Sequence, residues 1–433
     1  MNNHVNIVFI GHVDSGKSTL SSNILYLTGN VNKRLIANSK SDTKKRIEIS
    51  HIMDTDSDER EKGITIDVGK GHFNTKTKRY TILDCPGHKN YIPNMISGVC
   101  QADIGILVIS ARKGEFESGF DKKGQTKEHA LLAKTMGINK LIIVINKMDD
   151  DTVMWNKDRY DFIVNKLKIF LRKTCGFKIR KDVIFIPISG LNGINITDNI
   201  NKKICNWYKN NCLLTQLDTV NTKNNLFNKP FRMPINDKKI DSGVIIEGKI
   251  ESGTLKIGDE LIIMPINKKV KIHSIKLYNG DALDIAYPNE NIFINIKDKS
   301  IYNEIKKGFV LSSVIDKIPV TNKIKVQIRI LDLPKSNPLF VKNMNLQIHI
   351  HTLSMMCNVE IIYNISKNKK GDCKEKSIIY TTSNTTINAI LSFKNTISIE
   401  KYCIFKRLGC FGLRSGHSTI GIGKILKYIP YIS

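Results

Sequence analysis

A glycine-bounded stretch near the start of the chain has the residue types and spacing needed to hold phosphate. It reads Gly-His-Val-Asp-Ser-Gly-Lys-Ser and follows the apolar run Val5–Ile10. A helical pattern opens at Lys17, so backbone N–H groups of the loop and helix start can cradle phosphate oxygens. Lys17 can reach the outer phosphates, and the Ser18 hydroxyl can bind Mg²⁺. The predicted phosphate-binding residues are Gly11, His12, Val13, Asp14, Ser15, Gly16, Lys17, Ser18 and Thr19.

A second motif, Asp-Cys-Pro-Gly-His, follows the strand-like run Tyr80–Leu83. Its carboxylate can hold the metal through water, and the glycine N–H can sense the terminal phosphate. The polar side chain of His88 can orient an attacking water, a role that glutamine has in some GTPases. The predicted residues of this motif are Asp84, Cys85, Pro86, Gly87 and His88.

Two further motifs predict that the base is guanine. The first follows the apolar run Leu141–Ile145, and its carboxylate, Asp149, can accept hydrogen bonds from guanine N1 and the exocyclic amine, which adenine cannot offer. The second ends the last apolar run and can contact guanine O6 through backbone N–H groups. The predicted base-binding residues are Asn146, Lys147, Met148, Asp149, Ser189, Gly190 and Leu191.

The charged segment 58–66 lies between the first two motifs. Its Thr65 hydroxyl can complete the Mg²⁺ shell only while a terminal phosphate is present, so we expect a loop that is ordered by GTP and released after hydrolysis. The predicted metal ligands are Ser18, Thr65 and Asp84. No arginine at a phosphate-loop or switch position is an obvious internal arginine finger, so we expect slow intrinsic hydrolysis that a partner accelerates.

The elements that must position these motifs alternate between strand and helix over about the first 200 residues. Buried-strand runs recur at Ile104–Ile109 and Val183–Ile188, and helical segments such as Thr126–Met136 lie between such runs. This alternation predicts an α/β fold with a doubly wound sheet, which binds ligands at the carboxyl ends of its strands.

The sequence pattern changes near Asn225. Short β-rich runs broken by Gly, Asn and Asp follow, and these predict antiparallel barrels. We therefore expect a P-loop GTPase sheet followed by two antiparallel β-barrel domains, over 1–225, 226–318 and 319–433. One predicted strand of the first barrel is Val270–Ile275, and Ser366–Lys376 is predicted to be a solvated hairpin loop.

Composition limits the function classes. The net charge is +27, spread over the whole chain, which suits a protein working against a polyanion, although a Lys/Asn/Ile-rich, AT-biased genome would give the same excess. No run reaches the ~18 apolar residues of a membrane span, no secretory leader is evident, and the nine scattered cysteines indicate reduced thiols. We expect a cytoplasmic protein without a membrane partner.

Other candidate residues carry weaker signals. His349 and His351 alternate along one predicted strand without a third ligand nearby, which favours a structural role over a metal pair. Packing is likewise favoured over base stacking for the aromatic residues Phe116, Phe120, Trp155, Trp207 and Tyr208.

The motifs together resemble the translational GTPase family. Gly11–Asp14, Gly63–Thr65 and Asp84–His88 match its patterns, and the run 248–259 resembles its second domain, so the resemblance covers essentially the whole chain. It implies GTP and GDP as ligands with Mg²⁺, His88 as the residue that positions water, and Val13 with Ile64 as a hydrophobic gate around that water.

Within the family the sequence is most similar to the class-2 termination factors, the GTP-binding subunits of eukaryotic release factors. The stretches 114–120, 149–155 and 408–423 carry this likeness. It implies a monomer that joins a class-1 release factor in a heterodimeric complex and acts on the ribosome. By the same likeness Phe411, Leu413 and Arg414 contact that partner, although three polar positions of their motif differ from the family pattern.

Alternatives remain open at this point. An Hbs-type ribosome-rescue GTPase and an elongation factor one-alpha-like aminoacyl-tRNA carrier share most motifs, and a scaffold that keeps the fold without turnover is a rival of another class. Members of the termination branch commonly carry a long N-terminal extension that binds poly(A)-binding protein, and we expect no coupling to that partner here.

Overall fold

A six-stranded sheet lies at the centre of the first half of the chain in this computed structural model. The structure describes residues 3–29, 65, 67–121, 124–221, 226–278, 280–331, 333–334, 337–367, 373–416 and 418–429. The strands of the sheet are β1 (Asn3–Gly11), β2 (Gly69–Asn74), β3 (Lys78–Asp84), β4 (Ile104–Ser110), β5 (Lys140–Asn146) and β6 (Val183–Pro187). They lie in the order β2-β3-β1-β4-β5-β6, and only the β2–β3 pair is antiparallel.

Helices connect these strands. They are α1 (Lys17–Leu27), α2 (Ile92–Gln101), α3 (Glu115–Phe120), α4 (Gln125–Thr135), α5 (Lys157–Phe170), α6 (Ile179–Asp182) and α7 (Leu213–Thr219), with a 3-10 turn at Lys89–Tyr91 and a π-helical turn at Leu171–Cys175. Every residue of β4 is buried, as expected of a parallel strand that is covered on both faces. The predicted doubly wound α/β fold is confirmed.

The strand order fixes where a ligand can bind. The chain passes from β1 to β2 and β3 on one side and then crosses to β4 on the other, so the order reverses at β1. Ligands of such sheets bind at this reversal, outside the carboxyl ends of the strands. The segment after β1 is the predicted phosphate loop, which therefore lies at the reversal point.

The second half of the chain is built from antiparallel strands. The first group consists of β7 (Arg232–Ile240), β8 (Val244–Lys249), β9 (Leu255–Lys256), β10 (Glu260–Met264), β11 (Lys268–Lys271), β12 (Ser274–Leu277), β13 (Ala282–Leu283), β14 (Ile285–Ala286), β15 (Asn291–Ile296) and β16 (Val310–Ser313), with a 3-10 turn at Lys299–Asn303. Eight of these strands form one sheet, in the order β11-β10-β16-β7-β8-β15-β12-β13. Its strands enclose an apolar core that includes Met233, Ile246 and Ile294.

The second group closes on itself. It consists of β17 (Val320–Ile330), β18 (Phe340–Val341), β19 (Asn345–Ile350), β20 (Leu353–Lys367), β21 (Cys373–Ile378), β22 (Tyr380–Thr381), β23 (Thr386–Ser398), β24 (Cys410–Ser415) and β25 (Ser418–Ile429). The order β19-β24-β25-β17-β23-β20 is completed by pairing of β20 with β19, which makes a closed ring, and β21 pairs outside the ring with β20. The predicted succession of a GTPase-type sheet and two barrel-like β domains is confirmed.

The chain divides into two compact units, Met1–Lys134 with Ile138–Lys223, and Thr135–Gly137 with Asn224–Ser433. The second unit holds both β groups. The three-domain boundaries expected from the sequence, at 225/226 and 318/319, stay a prediction.

Two local expectations differ from the structure. The predicted strand Val270–Ile275 is two strands, β11 and β12, because the chain leaves one strand pair and joins another there: β11 pairs with β10, and β12 with β15. The described parts of the predicted loop Ser366–Lys376 are strand, since β20 and β21 pair up to Lys367 and Cys373, and residues 368–372 lie outside the described residues.

Two expectations from composition can be compared with the structure. Among the described residues no helix is long and apolar enough to span a membrane. The cysteines whose side chains the structure describes are free thiols: Cys85, Cys100, Cys175, Cys205, Cys212, Cys357, Cys403 and Cys410.

A buried ion pair links the two β groups of the second unit. Arg232, from β7, donates from Nε to Glu400 Oε1 at 3.0 Å, and the exposed fractions of the two side chains are 2% and 4%. Arg232 also donates to the Asp316 backbone carbonyl at 2.7 Å and to its carboxylate at 3.1 Å. A guanidinium so deeply buried depends on these acceptors, because an unpaired charge there would be strongly unfavourable.

We expect Glu400→Leu to lower the free energy of unfolding of the second unit by about 3 kcal/mol, because it leaves the Arg232 charge without its buried partner. Urea denaturation followed by circular dichroism measures this. Glu304→Gln is the control, since its pair with Lys268 is exposed and should contribute less than about 1 kcal/mol. Equal losses for both variants would contradict a special role of the buried pair.

Candidate nucleotide-binding site

The strand register brings the predicted motifs to one edge of the first sheet. Phe9 of β1 lies opposite Asp84, the last residue of β3, and Gly11 lies opposite Val108 of β4. Ser110, which ends β4, lies opposite Asn146, which ends β5. The loops that follow β1, β3 and β5 therefore open on the same side.

Glycine is required at two places in the phosphate loop. Gly16 has φ 90°, and a Cβ there would lie 2.3 Å from Asn146 Nδ2. Gly11 has φ 148°, and a Cβ there would lie 2.4 Å from the Val108 carbonyl oxygen. The loop is also held internally, because the Ser15 hydroxyl donates to the His12 carbonyl at 2.9 Å. Side chains larger than hydrogen at either glycine would displace the loop from the sheet edge.

Lys17 places a buried ammonium group in this loop. Its Nζ donates to the His12 carbonyl at 2.9 Å. Burial lowers the pKa of Lys17, and the negative charge of Asp84 opposes that shift. A Cβ at Gly87 would lie 2.5 Å from Lys17 Nζ and 3.1 Å from the Val13 nitrogen, so the second motif lies directly against the first. A buried ammonium beside loop N–H groups is suited to an anion.

Oxygen ligands for a hard cation converge beside Lys17. The hydroxyl oxygens of Ser18 and Thr65 are 3.1 Å apart. Asp84 is fully buried at the end of β3, within electrostatic reach of Lys17. Hydroxyl and carboxylate oxygens are the ligands that Mg²⁺ prefers, so this donor set fits that ion. In the described part of the chain no group of three His, Cys, Asp or Glu residues could hold a metal instead.

The Asn146 carboxamide connects three loops of the site. Its Nδ2 donates to the Ser15 carbonyl of the phosphate loop at 2.9 Å. Its Oδ1 accepts from the backbone N–H groups of Lys147 and Gly190, both at 2.8 Å. The phosphate loop and both predicted guanine motifs are thus fixed through one buried side chain.

The remaining guanine-motif residues surround this amide. Met148 is fully buried, and Ser189 is nearly so, whereas Leu191 is 40% exposed. The carboxylate of Asp149 accepts from the Asn192 side-chain amide at 2.5 Å. The structure therefore brings the predicted base-binding residues together at the edge of β5 and β6.

The predicted catalytic residues are partly described. His88 is half-buried, and its Nδ1 accepts from the Asn90 backbone N–H at 3.3 Å, which in the neutral ring leaves the proton on Nε2. Val13 is half-buried beside Gly87. Ile64, the other predicted gate residue, lies outside the described residues, as does the rest of segment 58–66 apart from Thr65. Cys85 and Pro86 are buried behind the motif.

Sequence reasoning missed residues that hold the loops from behind. The fully buried His129 of α4 accepts at Nδ1 from the Gly11 N–H at 3.1 Å. Asn23 of α1 donates to the carbonyls of Gly190 and Leu191 at 2.7 and 3.1 Å. Each is a buried polar residue of its helix that belongs to none of the sequence motifs.

Three comparisons with known proteins bear on this geometry. Residues 2–227 match the family described as "Elongation factor Tu GTP binding domain", residues 243–312 match "Elongation factor Tu domain 2", and residues 323–426 match "GTP-eEF1A C-terminal domain-like". The chain belongs to the translational GTPase family. Its first half is the GTP-binding domain of that family, followed by the two β domains.

Relatives of this translational GTPase include release-factor subunits. It is 42% identical to the eukaryotic peptide chain release factor GTP-binding subunit of Kluyveromyces lactis, over 98% of this chain and 61% of the relative. It is 38% identical to the protein of the same name from Schizosaccharomyces pombe, over 98% of this chain and 64% of the relative. The chain therefore spans about three fifths of the length of these curated relatives.

Solved structures agree with the fold. The GTPase-like domain of S. cerevisiae Ski7, bound to GTP, gives a TM-score of 0.76 at 18% identity and covers 98% of this chain and 97% of that one. The elongation factor SelB of Methanococcus maripaludis, in complex with a GTP analogue, gives a TM-score of 0.68 at 23% identity. The match covers 99% of this chain and 80% of that one. At these identities the likeness supports the three-domain translational GTPase fold alone.

The residues predicted to contact a partner lie inside the second barrel of this translational GTPase. Phe411 and Leu413 are fully buried in its core, and Arg414 is 3% exposed. In this packing the side chains of Phe411, Leu413 and Arg414 expose almost no surface. The contact stays a prediction.

The other weaker candidates are packed as well. His349 and His351 are buried, and burial lowers the pKa of each to about 4, so both are neutral at pH 7. Phe116 stacks on Phe120 with ring centroids 5.4 Å apart. These surroundings fit the structural roles expected of the histidines and aromatic residues.

We expect Asn146→Ala to loosen the loops of the site, because it leaves the buried Gly190 N–H and Ser15 carbonyl without their present partner. The amide of Gly190 should exchange with solvent at least about tenfold faster, by hydrogen exchange with mass spectrometry. Thr197→Val serves as control, since it removes only an exposed bond to Asp198. Unchanged exchange at Gly190 would contradict the bridging role.

Proposed function

We propose that this chain is a GTPase that binds a class-1 release factor and promotes translation termination at stop codons on the ribosome. The observation that carries the proposal is the convergence of four nucleotide motifs on one sheet edge. The release-factor subunits that match along 98% of this chain support the termination role. We place its work in the cytoplasm, where a termination factor meets ribosomes.

The proposed ligands are GTP, GDP and Mg²⁺. The loop Gly11–Ser18, with the Lys17 ammonium, would hold the phosphates. Ser18, Thr65 and Asp84 would hold the metal ion, which supplies charge neutralisation at the phosphates when bound. Asp149 would read guanine by accepting from N1 and the exocyclic amine, an arrangement that rejects adenine because its donors are elsewhere.

The chain's own residues suggest how hydrolysis proceeds. His88, at the γ-phosphate end of the loop, would orient the attacking water, and Val13 with Ile64 would shield that water until the ribosome triggers closure. Loss of the γ-phosphate would release the segment that carries Thr65.

Slow intrinsic turnover fits the ion pairs around the site. Arg112 is paired with Asp150 and Glu115, and Arg159 is paired with Glu117. Guanidinium groups engaged in this way are poorly placed to stabilise charge on the γ-phosphate. We therefore propose that the ribosome completes the catalytic site.

We propose that the class-1 release factor binds to the second unit, which holds both β groups. The proposed complex is a heterodimer with the class-1 release factor, in which GTP favours binding and hydrolysis lets the partner settle to cleave peptidyl-tRNA. The net charge of +27 would favour association with the rRNA-rich ribosome.

Two experiments test the proposal. Isothermal calorimetry should show binding of GTP and GDP with Mg²⁺ and none of ATP, and no preference for guanosine would overturn the nucleotide assignment. Pull-down with the chain locked by a non-hydrolysable GTP analogue should recover the class-1 release factor. Recovery of its rescue paralogue or of charged tRNA would instead indicate the Hbs-type or carrier role.

We expect His88→Ala to leave GTP affinity near the wild-type value and to reduce ribosome-stimulated turnover by at least about a hundredfold, because only water positioning is lost. Phosphate release with and without ribosomes measures this. The control is Asn90→Ala, a neighbour whose backbone, not its side chain, bonds to His88. Wild-type stimulated turnover in His88→Ala would refute the role, and absence of turnover in the unmodified chain would indicate a scaffold.

A further inference from the structure

Helix α3 contacts both ends of the candidate nucleotide site. At its C-terminal part, a Cβ on Gly119 would lie 3.2 Å from the side chain of His12 in the phosphate loop. At its first residue, Glu115 accepts from Lys147 Nζ of the guanine motif at 2.7 Å. A cavity of about 110 Å³ lies between the helix and the phosphate loop and is lined in part by Glu115, Phe116 and Val13. Helix α3 therefore contacts both the phosphate loop and the guanine motif, although no nucleotide motif of the sequence includes it.

The Glu115 carboxylate is the centre of an ion network. Oε2 accepts from the Ser110 hydroxyl and from Lys147, both at 2.7 Å, and Oε1 accepts from Arg112 at 2.9 Å. Burial acts to raise the pKa of Glu115, but the hydrogen bonds from Lys147 and Ser110 outweigh it and leave the pKa below its usual value. The group is therefore a carboxylate at neutral pH and can hold a cation in place.

Lys147 has a conformation that needs such support. Its backbone lies in the left-handed region at φ 61°, which is uncommon for a residue with a Cβ and costs on the order of 1 kcal/mol. The backbone is tied by the Asn146 side chain, and the ammonium by Glu115. A flexible lysine loses about 2 kcal/mol of rotamer entropy when it is fixed, so fixing it before a ligand arrives favours binding.

We propose that Glu115 is a positioning residue that holds Lys147 in its nucleotide-binding arrangement, and that α3 thereby sets the affinity for guanine nucleotides. The inference rests on the proposed function, because it takes Asn146–Asp149 as the base-binding motif. Its consequence is that a partner pushing on α3 would release nucleotide without touching phosphate or metal ligands.

The same helix supplies a matched control. Glu117 pairs with Arg159 at 2.7 Å and accepts from the Gly114 N–H at 2.8 Å. It has the same charge as Glu115, lies two residues away on α3, and bonds to no residue of the nucleotide motifs. A merely structural effect of lost charge on this helix should appear in Glu117→Gln as well.

The test is the dissociation constant of the full chain for a fluorescent GDP and, by competition, for GDP and inosine diphosphate. Glu115→Gln should weaken GDP and inosine diphosphate by the same factor, about tenfold, because a charge-assisted bond to Lys147 is lost. The ratio between the two nucleotides should not change, since Asp149 reads the amine that inosine lacks. Glu117→Gln should stay within about twofold of wild type.

A double-mutant cycle separates positioning from stability. In a Lys147→Met background, Glu115→Gln should cause no further loss of GDP affinity, because its effect passes through Lys147. Full additivity of the two losses would overturn the inference, as would unchanged affinity in Glu115→Gln or an equal loss in Glu117→Gln.

If Glu115→Gln does not fold, a second variant, Glu115→Asp, shortens the side chain and keeps its charge. It should weaken the affinity for GDP about threefold, and wild-type affinity in this variant would also overturn the inference.

The measurements distinguish failure of the proposed nucleotide site from failure of the role proposed for Glu115. Wild-type chain that binds neither GDP nor inosine diphosphate would remove the proposed nucleotide site itself. Wild-type chain that binds GDP, with variants that match it, would remove only the role of Glu115.

Discussion

One buried carboxamide constrains the nucleotide end of this molecule. Asn146 closes β5, and its three hydrogen bonds join the phosphate loop, its own loop and the loop after β6. The three bonds join three different backbone groups to one side chain. A shift of one loop that moves Asn146 therefore disturbs the other two loops as well. Gly16 is glycine for the same reason, because any Cβ there would occupy the space of the Asn146 amide. The geometry for phosphate, metal and base thus depends on a side chain that need not touch any reacting atom.

Much of this arrangement could be predicted from sequence because the physics is local. Buried parallel strands are apolar runs, and loops at their carboxyl ends must share one sheet edge. The motifs after β1, β3, β5 and β6 therefore converge as expected. Thr65 is also brought to Ser18, although they are far apart in sequence.

What could not be predicted is how distant side chains pair. Glu115 and Lys147, or Asn23 and Gly190, leave no periodic signal, because their contact depends on the packing of whole elements. The break between β11 and β12 was missed although the apolar alternation changes phase there, from Val270 and Ile272 to Ile275 and Leu277, where the chain changes strand partners. Phe411 and Leu413, which the likeness to a motif predicts to contact a partner, pack in the core of the last β group, and that contact stays a prediction.

The closed ring of the last β group has a consequence for how copies of this protein behave in solution. Six strands pair in a circle, so their backbone groups offer no template for a foreign strand. Strand β21 stands outside that circle and is the open edge of this seven-stranded sheet. Its Glu375 and Lys376 are exposed and charged, and Glu375 is paired with Lys325. Charges at an open edge oppose strand pairing between chains, so this edge disfavours stacking of copies of this highly basic, β-rich protein.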